Sequence, residues 1–231
     1  MLTLAIDTTN TPCGVAIARD DTPLYEAVAG AGRQHAAQLL PMIDAALNAC
    51  GLTARDIDRW ACAVGPGSFT GVRIGVSAIR GFAHALDAPC AAVNALEALA
   101  FGVEDALAAP MFDARRGQVY AAAYLNGKRV LPDIAIDAAQ YLPTLADKAR
   151  ELGVPVMPLG EGAAVNAEAL TAVGLPVPNA MRRAIRPLAI ALLAHQSQPM
   201  TPEALVPYYL RLSQAEQARE AKARQEAGDA S

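Results

Sequence analysis

Histidine is scarce. His35, His84 and His195 are the only three in 231 residues, no two stand at metal-ligand spacing, and no H-E-x-x-H occurs. A metallopeptidase motif of paired imidazoles on one helix is thereby excluded. Cysteine is sparse and unpatterned. Cys13, Cys50, Cys62 and Cys90 form no C-x-x-C, which excludes a zinc ribbon or a disulfide framework and leaves small buried hydrophobes. No apolar run is long enough to cross a bilayer. Leu188 to Ala194 falls well short of the roughly 18–20 residues a span needs. The chain starts Met1-Leu2-Thr3-Leu4, without the basic region and cleavage site of a secretory signal, so a reducing cytoplasm is the expected location. A surplus of positive charge is missing too. The formal net charge is −4, which argues against gripping nucleic acid unaided, because such binding neutralises phosphates with clustered Lys and Arg.

What is present is a folded protein: 53% hydrophobic and 18% charged over a length that suits one large domain or two small ones. Leu2–Thr8 reads as a buried strand, and Gly14–Arg19 follows the turn residues Asn10-Thr11-Pro12. Leu24–Ala29 reads as a third strand. The period then becomes helical, with Leu40, Ile43 and Leu47 on one stripe and Leu39, Met42 and Ala46 on the next, until Gly51 stops it. Arg59–Val64 is a strand, 70–86 a helix and Cys90–Val93 a strand. The order recurs: strands at Pro110–Ala114, Val119–Leu125 and Arg129–Ile136, a helix over 138–152, a strand at Val154–Leu159 and a helix over 163–173. Two α/β units of β-β-β-α-β-α order are thus expected, at 1–104 and 105–211. A helix over 186–196 can pack back on the first, and a short strand is expected at Tyr208–Leu210. Residues 212–231 form a charged tail, and from Ser213 onward no apolar side chain is larger than Ala.

The strongest local signal is Gly65-Pro66-Gly67-Ser68-Phe69-Thr70-Gly71-Val72-Arg73-Ile74-Gly75, between a strand and a helix. It is neither a P-loop, lacking Gly-Lys-Ser/Thr, nor a dinucleotide fingerprint. It is either an anion cradle at a helix N-terminus or a tight turn whose glycines allow close packing. In the helix that follows, Arg73, Ser77, Arg80 and His84 make one narrow polar line while apolar residues take most of the rest. Such a helix lies deep in the monomer or lines a subunit interface. Asp7, at the end of the first strand, is either a functional carboxylate or a turn residue bonding the following backbone. Asp113-Ala114-Arg115-Arg116-Gly117 either pairs an acid with bases at a site or is a charged hairpin turn. His35 caps or flanks the first helix.

The glycine-rich run resembles the signature of the TsaB (YeaZ) family. Leu4-Ala5-Ile6-Asp7-Thr8-Thr9, His35 with Leu40-Pro41-Met42, Asp113 through Tyr120, and Pro207-Tyr208-Tyr209-Leu210-Arg211 match that family in its order. The resemblance spans residues 1 to about 211. It implies two RNase H-like domains of the actin-like (ASKHA) type. It also implies a non-catalytic subunit that binds and supports a TsaD-like transferase making N6-threonylcarbamoyladenosine on tRNAs that read codons starting with A. A TsaE-like ATPase is the implied third component, ATP and metal would sit on those partners, and tRNA would be met only through the complex.

One departure bears on catalysis. TsaD-like sequences carry two metal-binding histidines after the fifth strand. Here the segment reads Val93-Asn94-Ala95-Leu96-Glu97-Ala98-Leu99, and methyl or isobutyl groups coordinate no cation. No catalytic, cofactor or metal residue is therefore assigned. The alternatives, a glycoprotease-like metallopeptidase and an actin-like ATPase or kinase, would need that histidine pair or a phosphate loop in each half. For docking, the spare apolar stripe points to one patch, His35, Leu39, Met42 and Ala46 with Val76, Ile79, Arg80 and Ala83, used by a homodimer and by the TsaD-like partner in turn.

Overall fold

The computed structural model describes residues 1–30 and 35–211, so the charged tail lies outside the described residues. The first half runs β1 (Leu2–Asp7), β2 (Cys13–Arg19), β3 (Thr22–Ala29), α1 (His35–Ala49), β4 (Arg59–Ala63), α2 (Phe69–Leu86), β5 (Cys90–Val93) and α3 (Ala95–Ala100). The second runs β6 (Leu107–Arg115), β7 (Gln118–Leu125), β8 (Lys128–Asp137), α4 (Ala138–Leu152), β9 (Val156–Leu159), α5 (Glu161–Val165) and α6 (Ala167–Ala172). The last helix is α7 (Pro187–Gln196). The sheets are ordered β3-β2-β1-β4-β5 and β8-β7-β6-β9. In each, an antiparallel three-strand meander continues into parallel pairing at its first strand: β1 with β4, and β6 with β9.

Side-chain size alternates along the central strands, and this decides what packs on each face. In the first sheet Leu4, Ile6, Trp60 and Cys62 point toward α1 and α2. Their neighbours Ala5, Ala61, Ala63 and Ala91 point the other way, into a core shared with α3, α7, Ala108, Phe112, Ala122 and Tyr124. The second sheet's outer face packs Leu107, Met111 and Val119 against Tyr141, Leu142 and Leu145 of α4. Small side chains on the facing sides let two helices fit between the sheets, so the halves share a middle core.

Although α7 follows the second half in sequence, it packs on the first sheet, contacting β1 and β2. First-half charges hold both of its ends. Glu26 of β3 accepts from Leu188 N at 3.1 Å and pairs with Arg186 at the N-terminus. Arg59 of β4, buried, donates to Ala194 O and Ser197 O at the C-terminus. An acid at the N-terminal end and a cation at the C-terminal end both complement the helix dipole.

Three elements differ from the sequence expectation. The six-residue α3 is new. Its N-cap Asn94 accepts from Leu96 N and Glu97 N. The helix expected over 163–173 is split into α5 and α6 at Asn166, whose amide donates to Gly162 O and closes α5; an Asn side chain offers the backbone this alternative to a continuous helix. Finally, Tyr208–Leu210 joins no sheet. Tyr208 N makes a single bond to Val64 O at 2.8 Å.

Candidate functional site: the cleft between the two halves

A cleft of about 570 Å3 opens between the halves, lined by Thr11, Ser68, Thr70, Gly71 and Ile74 on one side and Asp113, Arg115, Glu161 and Val165 on the other. Asp7 lies beneath the first wall. Its Oδ1 accepts from Thr9 N at 2.8 Å and from Thr9 Oγ1 at 2.7 Å. That geometry is the turn reading of Asp7. Burial pushes its carboxyl up to about 6, against the pull of the Thr9 bonds. Across the cleft, burial pushes Glu161 up to about 7, and the charges of Asp7 and Asp113 add to the shift. Asn10, with its amide oriented to satisfy both ends, donates to Glu161 Oε1 at 2.9 Å and to Thr9 O at 3.2 Å. Glu161 Oε2 is buried with no hydrogen-bond partner among the described residues.

One cation, Arg115, lines this wall, and it is tied to Asp113 at 3.0 Å. The hairpin that carries it is strained. Arg115 and Arg116 both have positive φ, +68° and +56°, before Gly117 at +78°. Asp113 Oδ1 accepts from Arg115 N at 2.8 Å and holds the bend. The hairpin is thus a charged turn as well as a wall of the cleft.

The glycine-rich run serves packing. A Cβ on Gly71 would overlap the Thr8 carbonyl oxygen, one on Gly67 would meet Thr9 O, and one on Gly75 would meet Thr8 Oγ1. On Gly65, whose φ is +113°, it would overlap Tyr208 O. Only glycine lets the β1–β2 loop lie this close to α2. Hydrogen bonds use the proximity: Ser68 N donates to Thr9 O at 2.6 Å and Thr8 Oγ1 to Gly71 O at 2.7 Å. At the start of α2 the N–H groups of Gly71 and Val72 bond Ser68, while the Ser68 and Thr70 side chains face the cleft. Ser68 Oγ accepts from Gly71 N, and Gly65 O accepts from Ala95 N.

Ala95 and Leu99 are buried in the shared core. Neither has a donor atom to offer a cation.

Comparison with known proteins sets this geometry in a family. A family model described as TsaD, tRNA N6-adenosine threonylcarbamoyltransferase, matches residues 29–199. The tRNA threonylcarbamoyladenosine biosynthesis protein TsaB of Bacillus subtilis is 37% identical, over 94% of this chain and 96% of its own length. This chain belongs to the TsaB family. The Escherichia coli TsaB is 38% identical over 54% of the chain and 55% of its own length. Among solved structures, YeaZ from Pseudomonas aeruginosa superposes with a TM-score of 0.70 at 24% identity, over 90% of this chain and 99% of that one. The (R)-2-hydroxyglutaryl-CoA dehydratase component A of Acidaminococcus fermentans superposes at 0.52 with 10% identity, over 85% and 98%, and shares the fold alone. The architecture is two RNase H-like units of the actin-like type.

In this TsaB-family chain the docking patch drawn from sequence needs correction. Leu39 and Ala46 of α1 and Val76, Ile79 and Ala83 of α2 are buried in the chain's own core, and Met42 is half-buried with its Sδ 3.7 Å from Cys13 Sγ. The reason is helical geometry: Leu39, Met42, Ile43, Ala46 and Leu47 stand at i, i+3, i+4, i+7 and i+8, which is one broad face. Leu40, placed on the inner stripe, points outward and is 56% exposed. Arg80 is exposed, as are Arg73, Ser77 and His84 on the same polar line. The side chain of His35 lies outside the described residues. The outward face of these helices is therefore Leu40, Arg73, Ser77 and Arg80, flanked by half-buried Ile74.

Sequence reasoning missed Glu161 and Asn10. Glu161 follows Leu159-Gly160, a strand end with a positive-φ glycine, which is the available signal for a residue at a parallel strand's carboxyl edge, where open α/β sheets place their clefts.

Proposed function

We propose that this chain is a non-catalytic partner subunit that binds and supports a TsaD-like threonylcarbamoyl transferase in making N6-threonylcarbamoyladenosine on tRNAs reading codons that start with A. The observation that carries this reading is the charge of its cleft. A nucleotide triphosphate needs cations or a metal to neutralise developing and resident negative charge. Here Asp7, Asp113 and Glu161 stand around the space with Arg115 already paired. Ala95 and Leu99 supply no ligand at the place where the resembled transferases carry histidines. In this reading ATP and metal belong to the TsaD-like and TsaE-like subunits, and tRNA is met through the complex.

The outward face of α1 and α2 is the proposed contact, for a homodimer and for the partner in turn. The partner shares the fold, so equivalent helix pairs can meet in a pseudo-symmetric bundle. Leu40 is the apolar anchor left in water, and its burial is worth about 1.5–3 kcal/mol.

The test is reconstitution with a TsaD-like transferase and a TsaE-like ATPase. The chain alone is expected to form no threonylcarbamoyladenosine and to show no micromolar ATP affinity, while its addition raises the transferase's turnover. Leu40→Asp should remain folded and lose both self-association and partner binding by calorimetry. Transfer by the chain alone, or full partner affinity in folded Leu40→Asp, would overturn the respective part of the reading.

A further inference from the structure

Beyond α7 the chain runs along the first half and then crosses to the second. Met200 pairs with Cys90 on the edge of β5, bonds of 2.9 and 3.0 Å joining their backbones. Leu205 is fully buried in the core beneath α1 and α2. Tyr208 N bonds Val64 O, and its carbonyl presses on Gly65, where a Cβ has no room. The Tyr209 ring stacks on Phe69 with centroids 4.9 Å apart, and its hydroxyl accepts from Arg73 Nε at 3.0 Å. Two residues later Arg211 donates to Gln118 Oε1 at 2.6 Å and to Ala114 O at 3.3 Å, on the second half's hairpin.

A second tie lies beside it. Asn94, the first-half cap of α3, donates to Asp133 of β8 at 2.5 Å. The Asp133 side chain is 2% exposed and its other oxygen faces Arg129 at 3.3 Å. Tyr208 also faces Asp133: burial first, then that charge, holds its phenol above the usual range. One side chain of the crossing segment thus meets a group that already joins the halves.

We propose that residues 206–211 are a strap that bolts the two halves together beside the cleft, from Phe69 and Arg73 to the β6–β7 hairpin, and fixes its aperture. Hinge motion between two units is the default unless enough contact joins them. Here the shared core is one tie between the halves, and the strap is another, through Tyr208, Tyr209 and Arg211. A fixed aperture gives a docking subunit one invariant shape, so partner binding incurs no cost of selecting a closed or open form. It also gives the glycine at 65 its reason: the site admits the strap's backbone.

The experiment measures the distance between spin labels on the two halves by pulsed electron resonance. Arg55→Cys between α1 and β4 and Asp147→Cys on α4, both exposed, carry the labels in a Cys50→Ser background; Cys13, Cys62 and Cys90 are buried and resist labelling. The full chain and a chain ended at Arg211 should give the same narrow distribution. A chain ended at Leu205, which keeps the core plug but lacks the strap, should broaden it about twofold, the sign of a freed hinge. The full-length double variant Tyr209→Ala/Arg211→Ala should broaden it as well, and it decides the matter where the shortened chain does not fold. An unchanged width in the folded strap variant overturns the proposal.

Discussion

The two halves share a topology and differ in what completes them. The first has five strands, a glycine-packed turn, and an outer layer of α1 and α2. It also takes in α7 and the crossing segment, which arrive from the far end of the chain. The second has four strands, and its β6–β7 hairpin carries two arginines at positive φ. Close approach is solved by glycine in both halves, Gly160 and Gly162 lying against Met111 and Phe112 as Gly71 and Gly67 lie against Thr8 and Thr9, and the second half also bends a hairpin under two arginines. The first half is fitted to neighbours within the chain; the second keeps a strained, solvent-facing turn. Substitutions at the packed glycines should therefore be costly and those at the hairpin cheap.

The largest effect is expected at Gly71→Ala. The new methyl would overlap the Thr8 carbonyl oxygen, a backbone atom that cannot swing aside. Overpacking against backbone of this kind costs about 3 kcal/mol. Gly81 in the same helix has open space around the position of a Cβ, so Gly81→Ala should stabilise by about 0.5–1 kcal/mol through helix propensity. Urea unfolding of the pair separates packing from propensity, and equal effects at the two positions would refute the packing account.

Next comes Arg59→Ala, at the C-terminal end of α7. It removes a buried cation that bonds Ala194 O and Ser197 O. Hydrogen bonding by a buried charged donor contributes about 1.5–3 kcal/mol, and a loss of about 2 kcal/mol follows. Arg186→Ala, at the other end, breaks an ion pair whose arginine is 60% exposed, and exposed pairs contribute below about 1 kcal/mol. Thermal melts should rank the two in that order. A larger loss at Arg186 would mean that the dipole at the N-terminus, not burial, fixes α7.

How much of this was legible follows from what each element depends on. Helix α4 was read to its ends because its signals are local: Asp137 caps it through Ala139 N and Gly153 closes it in the left-handed conformation. The strands were legible because they are apolar runs between turn residues. The inward face of α1 was misread because Leu39 and Leu40 are adjacent and equally apolar, and only the sheet beneath decides which is buried. The crossing segment carries no period at all. Its conformation is set by Gly65, Phe69 and Gln118, which lie 93 to 143 residues from the partners they meet. In the cleft, Asp7 was visible at a strand end, whereas Glu161 gained its role only when the second sheet brought it opposite.

The cleft offers a pH test between the two halves. Folded Glu161 holds its proton from 4.5, its ordinary value, up to about 7, and Asp7 from 3.8 up to about 6. In those windows the folded chain binds more protons than the unfolded one, so stability falls as pH rises. Above about 7 the full penalty of both buried carboxylates is present. Glu161→Gln removes one titrating group, so its melting temperature should decline less between pH 4.5 and 7. An undiminished decline would place the sensitivity in Asp7, on the first half.

The smallest expected effect sits on the second half's turn. Arg116 and Gly117 occupy the two central positions of a tight hairpin with φ of +56° and +78°. Positive φ at both positions is the signature of the turn that favours Asn-Gly, because asparagine tolerates the left-handed region better than a long side chain does. Arg116 is exposed and forms no ion pair among the described residues. Arg116→Asn should then stabilise the chain by about 0.5–1 kcal/mol through relief of backbone strain. Partner-dependent transferase activity gives the second readout. A gain in stability with unchanged activity makes the arginine an incidental occupant of the turn. A gain in stability with lost activity makes it a strained contact kept for the complex, and places part of the partner surface on the second half.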